Sequence, residues 1–161
     1  MSLLRRSKET YGTEYEKHLF EQYKLYVEMA DRVSARRVLA NSFFASVHTA
    51  LIMAFIVMLK EKVLQPTLVG LTPPFLAVLL LCYVWWRVVH SYQQLNSGKF
   101  KVVHSLEQML PSAPYDEEWV ELGSGKDSKK YLPLTRIENW VPACFGLLYA
   151  LLAVSPCLGV W

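Results

Sequence analysis

The sequence predicts an all-α integral membrane protein with three transmembrane helices. Three stretches of the 161-residue chain, residues 40–59, 63–86 and 139–161, contain no Asp, Glu, Lys or Arg. Each is long enough to supply the ~20 residues with which a helix crosses a hydrocarbon layer of ~30 Å. Apolar residues make up 53% of the chain, above the ~45–50% of soluble proteins, and the excess lies in these stretches. We place the three crossings at 40–59, 68–88 and 140–160.

The distribution of positive charge predicts how the crossings are oriented. Only Lys60 and Lys62, of 17 lysines and arginines, lie between the first and second crossings. The others precede the first crossing or lie from Arg87 to Arg136, and cation-rich segments remain in the cytoplasm. We therefore expect residues 1–39 and 89–139 in the cytoplasm, with the 60–67 loop and the C-terminus outside. Topology and anionic lipid headgroups explain the net charge of +3, so we expect no nucleic-acid partner.

The N-terminal 39 residues are predicted to form a long cytoplasmic helix that runs into the first crossing. Thr13 and Glu16 have the spacing of a capping box at its start. Five residues then recur at helical spacing and form one apolar seam. The seam consists of Leu19, Tyr23, Tyr26, Ala30 and Val33. We expect it to be covered in an oligomer, and the spacing leaves open whether it packs on a neighbouring subunit or on its own chain.

Residues 89–139 are predicted to form a cytoplasmic helix followed by a small cap. Helical spacing of apolar residues continues from Val88 to Met109, and Pro111 ends it. A β-hairpin or an irregular cap is expected next, since the segments Trp119–Leu122 and Tyr131–Leu134 flank a Gly/Ser/Lys/Asp loop. The loop sequence GSGKDS lacks the spacing of a phosphate-binding loop, which favours a flexible turn.

A polar stripe interrupts the first crossing. It consists of Asn41, Ser42, Ser46, His48 and Thr49. Polar groups at membrane depth face protein or water, and small hydroxyl residues let helices approach closely. The stripe is therefore expected to lie at a helix interface or to line a lumen in an oligomer, and in either case to avoid acyl chains.

The other chemically versatile residues suggest no active site. No two histidines are spaced for a shared metal on one helix, and all three cysteines fall within crossings. No serine or cysteine lies in a recognisable nucleophile motif. We expect no catalytic residue, no cofactor and no metal, and hence a protein that is not an enzyme.

Four segments in this order carry a resemblance: EQYKLYVEMADRVSARRVLANSFF, SYQQLNSGKFKVVHSLEQMLP, PYDEEW and KYLPLTRIENWVP. Together they resemble the RipA family of small octameric bacterial membrane proteins, from about Glu21 to Pro142. The resemblance implies a bacterial inner-membrane protein that assembles as a homo-octamer, and it transfers no catalytic residue.

We therefore expect a non-enzymatic homo-oligomeric assembly in the inner membrane, in contact with lipid. Our leading expectation is a pore or a membrane-perturbing effector that responds to a cytoplasmic signal. The alternative is a scaffold whose cytoplasmic ring docks a partner protein and conducts nothing.

Overall fold

The structure is a computed structural model that describes residues 3–63 and 67–155, without the side chains of residues 68–69 and 135–136. The elements are α1 (Lys8–Tyr11), α2 (Tyr15–Lys60), α3 (Leu68–Glu107), α4 (Pro114–Glu121), a 3₁₀ turn (Gly123–Gly125) and α5 (Leu134–Val154). The described residues contain no strand. Three helices, α2, α3 and α5, are long and apolar enough to cross a membrane. The predicted all-helical class and the number of crossings are therefore confirmed.

The helices extend beyond the predicted crossings because the flanking polar residues keep helical spacing. Helix α2 is continuous for 46 residues, with no Gly or Pro to interrupt it. Helix α5 begins at Leu134, six positions before the predicted start, and includes Pro142 near its beginning. The predicted end of the third crossing, at residues 156–160, lies outside the described residues, as do Cys157 and residues 64–66 of the predicted external loop.

Contacts divide the chain into two compact units. Unit 1 comprises Met1–Arg36 and Tyr92–Pro133, and unit 2 comprises Arg37–Ser91 and Leu134–Trp161. Unit 2 holds the charge-free stretches of all three long helices and the polar start of α5, and unit 1 holds the polar extensions of α2 and α3 together with α1 and α4.

In unit 2, α2, α3 and α5 pack against one another around a shared core. Helix α5 runs parallel to α2, since Arg37 contacts Glu138 and His48 contacts Tyr149, both pairs being 101 positions apart. Helix α3 runs antiparallel to α2, because Asn41 meets Trp85 while Phe55, further along α2, packs near Leu71. Each helix therefore touches the other two, and the three outward faces remain exposed.

In unit 1, a short helix occupies the segment where a β-hairpin or an irregular cap was expected. Helix α4 starts with Pro114 in its first turn, followed by Asp116 and Glu117, and both features stabilise a helix N-terminus. Gly123, Ser124 and Gly125 then take positive φ angles of 77°, 52° and 69°, which end the helix. A side chain at Gly125 would lie 3.1 Å from the Trp119 ring, so the turn requires glycine there.

Candidate functional site

A buried histidine cluster joins the three helices of unit 2. The His48 side chain is 0% exposed and stacks on Trp85, with 5.3 Å between ring centroids. Phe145 and Tyr149 on α5 lie against the same imidazole, at centroid distances of 5.4 and 5.7 Å. The Cys82 sulfur on α3 lies 3.9 Å from both ring nitrogens. One residue of α2 thus contacts both of the other helices.

The hydrogen bonds of Tyr149 indicate the tautomer of His48. The Tyr149 hydroxyl donates to the His48 backbone carbonyl at 3.1 Å, and it lies 3.0 Å from Nδ1. A phenol hydroxyl has a single proton and can therefore donate only one hydrogen bond. Since the Tyr149 hydroxyl donates to the carbonyl oxygen, it accepts a hydrogen bond from Nδ1, which therefore carries a proton. The unprotonated Nε2 then faces the Cys82 thiol, a weak donor. The cluster therefore has partners for a neutral imidazole within the protomer.

The structure separates the polar stripe of the first crossing into two sets. His48 is buried, and half-buried Asn41 accepts a hydrogen bond from the Trp85 indole at 2.9 Å. Ser42, Ser46 and Thr49 are exposed. At ~100° per residue these three lie roughly 100–160° around α2 from His48. We call them the hydroxyl flank.

The hydroxyl flank is less polar than its composition suggests. Ser46 donates to the Ser42 carbonyl at 2.9 Å, and Thr49 donates to the Ala45 carbonyl at 2.8 Å. Bonds of this kind satisfy the hydroxyl donor inside its own helix. Whether the flank faces a lumen or a neighbouring subunit stays a prediction.

An ion pair that the sequence analysis missed joins α2 to α5. The Arg37 Nε lies 3.2 Å from the Glu138 carboxylate, and both side chains are largely buried, with 11% and 16% exposed. The two residues precede the first and third charge-free stretches, so they close the same end of unit 2. Their types are complementary, but nothing in the sequence pairs two positions 101 residues apart.

The seam is covered within its own chain in unit 1. Leu19, Ala30 and Val33 are buried, and Tyr23 and Tyr26 are half-buried. This burial comes from the seam's own chain. An additional contact with a neighbouring copy stays a prediction.

Glu107, a second residue that the sequence analysis did not single out, anchors the seam and α4. It is 1% exposed and accepts a hydrogen bond from the Tyr23 hydroxyl at 2.9 Å. It also accepts from the backbone N–H groups of Tyr115 and Asp116, at 3.0 and 3.2 Å. Burial, together with the bond to Glu107, raises the pKa of Tyr23 to about 12. The carboxylate thus caps α4 and holds it to α2 and α3, a structural role.

The other described histidines lie beside aromatic or acidic side chains, and Cys144 is exposed. His18 hydrogen-bonds the Tyr11 hydroxyl, and His90 stacks on Trp86. Among the described residues, no three His, Cys, Asp or Glu side chains are placed to hold a metal ion.

Comparison with known proteins relates the chain to one family. The model of the octameric membrane protein family (8xMP) matches residues 20–158, which include both units. No curated protein and no solved structure matches the chain.

Proposed function

The chain belongs to the octameric membrane protein family, and we propose that it assembles as a homo-octamer in the bacterial inner membrane around a central passage. The N-terminus and residues 89–139 lie in the cytoplasm in this proposal, as the distribution of cations favours. The assembly is non-enzymatic, and a signal received by the cytoplasmic residues opens or closes the passage.

The observation that carries this proposal is the exposed hydroxyl flank. The His48 imidazole and the Asn41 carboxamide oxygen have partners inside the protomer, so these groups are unavailable to a lumen. Ser42, Ser46 and Thr49 remain exposed on one side of α2. Water-filled passages between membrane helices are lined by polar groups of this kind. An octamer that turns this flank towards its axis would form a weakly polar, uncharged ring.

Ion flux through purified protein in liposomes tests the passage. Thr49→Leu places an apolar side chain on the hydroxyl flank and should reduce the flux while leaving the assembly intact. Ala54→Leu, which adds a similar side chain to the exposed surface of α2 on its opposite flank, serves as the matched control and should not reduce it. Intact octamers of the unaltered protein that conduct nothing would remove the passage from the proposal.

A scaffold that docks a cytoplasmic protein is the second candidate, and a different observation favours it. Unit 1 exposes large apolar side chains, among them Leu25, Trp119 and Val120. Contiguous exposed apolar patches often mark protein-binding surfaces, and Trp119 and Val120 are neighbours on α4. Purified octamers that conduct no ions, and that lose a co-purifying cytoplasmic protein on Val120→Asp substitution, would favour the scaffold.

A further inference from the structure

The outward side of α3 and α5 forms a groove in unit 2 that no part of the described protomer fills. Its volume is about 660 Å³. The residues that line it include Leu79, Tyr83 and Trp86 on α3, and Trp140, Ala143 and Gly146 on α5. Large side chains therefore line the sides of the groove, and the small residues Ala143 and Gly146 lie at its base. Trp140 is 71% exposed and stands at the rim.

From this groove and the family's octameric state we infer that the α3–α5 groove of one protomer receives the outward ridge of α2 from a second copy. The inference rests on the proposed homo-octamer and names the surface that builds it. The ridge consists of Leu39, Phe43 and Val57, all of which are more than half exposed.

The symmetry of a ring explains why two different surfaces are required. A closed ring of identical subunits uses a heterologous interface, in which one patch of each subunit binds a different patch of the next. The ridge residues lie roughly 140–180° around α2 from His48, whose ring faces α3 and α5. The ridge is therefore on the side of the bundle away from the groove between α3 and α5. The protomer therefore carries both halves of a head-to-tail contact.

The composition of the groove favours a helix over a lipid chain as its occupant. Between membrane helices the hydrophobic effect contributes little, and close packing over small residues provides the attraction. Ala143 and Gly146 supply such a floor, and a Cβ added at Gly146 would lie 3.8 Å from its nearest neighbour, Leu79. A lipid chain has no need of small residues, because any apolar surface serves it equally well.

The depths of the ridge and the groove also match. Since α2 and α5 run parallel with contacts 101 positions apart, Phe43 lies at the level of residue 144. Rotation about an axis normal to the membrane preserves depth, so Phe43 of one copy meets the Ala143 region of the next.

A ring of eight also gives the hydroxyl flank a direction. Successive subunits turn by about 45°, so the two contact faces of one subunit lie at less than 180° to each other. One flank of α2 then faces the axis and the other faces lipid. The flank opposite the hydroxyls carries Val47, Ala54 and Met58, which suit acyl chains. The side with Ser42 and Thr49 is left for the axis, and Ser46 lies between it and the ridge.

Disulfide trapping tests the contact directly. All variants carry Cys157→Ala and retain Cys82, which is buried. Phe43→Cys combined with Ala143→Cys and Cys144→Ala should give, on oxidation, a ladder of covalently linked subunits up to the octamer. The control is Phe43→Cys with the native Cys144, which is exposed at the same depth but does not line the groove. Intact octamers with no ladder from the first pair, or with equal ladders from both, would overturn the inference.

Filling the groove provides a second test that does not depend on cysteine chemistry. Ala143 is exposed in the protomer, so Ala143→Trp should preserve the protomer and yield particles smaller than the octamer in native mass measurement. Cys144→Trp should leave the octamer intact. An Ala143→Trp octamer that has lost bound phospholipid would show that the groove binds lipid. An Ala143→Trp octamer with unchanged phospholipid content would show that the groove binds neither lipid nor a neighbouring helix. Both outcomes contradict the inference. Octamers that form the ladder but conduct no ions would leave the interface standing and remove only the passage.

Discussion

Replacing Tyr149 with phenylalanine should destabilise the protein through the histidine that it leaves behind. In the structure, the Tyr149 hydroxyl is the hydrogen-bond partner of the His48 Nδ1 at 3.0 Å, inside a fully buried cluster. Tyr149→Phe removes this partner while keeping the ring that packs near Val78 and Cys82. The carbonyl of His48 also loses a donor, but it retains its place in the helical hydrogen bonding of α2.

The expected loss in the free energy of unfolding is that of leaving one buried polar group without a hydrogen-bond partner. A buried donor or acceptor left without a partner costs about 1–3 kcal/mol in soluble proteins. Hydrogen bonds between membrane helices measure lower, at about 0.6 kcal/mol on average and ~1.7 kcal/mol at most. We therefore expect Tyr149→Phe to reduce the free energy of unfolding by about 0.5–2 kcal/mol.

The double variant separates the orphaned group from a general loss of packing. His48→Phe with Tyr149→Phe replaces both partners by apolar rings of similar shape, which is often nearly neutral. The stacking on Trp85 is available to a phenylalanine at position 48 as well. We therefore expect the double variant to be more stable than Tyr149→Phe alone.

Unfolding of purified protein by SDS in mixed micelles, at one protein concentration, measures these free energies. Tyr131→Phe is the matched control, because Tyr131 is a tyrosine that is 37% exposed and lies outside the groove. A Tyr149→Phe variant as stable as this control would refute the reasoning. A double variant less stable than Tyr149→Phe alone would refute it too.

Three further predictions concern topology, titration and the buried ion pair. A membrane-impermeant maleimide added to intact cells should label Lys62→Cys but not Lys126→Cys; labelling at Lys126 would contradict the proposed orientation. Tyr23 should ionise near pH 12, which is measured as a phenolate absorbance that Tyr23→Phe removes. The contribution of Tyr23 to the free energy of unfolding should be complete below pH ~10 and lost as pH rises through about 12. Glu138→Gln should cost about 1–3 kcal/mol in the same unfolding assay, less than the ~3–5 kcal/mol of a fully buried pair, whereas Arg37→Leu with Glu138→Leu should recover part of the loss. A Glu138→Gln variant with unchanged stability would show that the pair contributes nothing.

The sequence contained enough information for the helices and too little for their contacts. The crossings follow from runs without charge, and the seam follows from the helical spacing of Leu19 to Val33. Glu107 looked like one more acidic residue at a helix end. Its role depends on donors from Tyr23 and from the start of α4, and these come together only when the chain folds back.

The polar stripe shows the same limit within one helix. Its five residues fall within nine positions, and the sequence treats them as one feature. Packing against Trp85 and Tyr149 buries His48, with Asn41 bonded to Trp85, and leaves Ser42, Ser46 and Thr49 outside.

By itself, then, the sequence determined that this chain is helical and that three of its helices are long and apolar enough to cross a membrane. These properties depend on composition, because the cost of placing a charge in hydrocarbon is paid residue by residue wherever that residue points. Only the tertiary structure decided which face of each helix turns inward and which residues 101 positions apart meet. An apolar helix gains no preference for one face from lipid, so its rotation is set by the shapes and hydrogen bonds of the neighbouring helices.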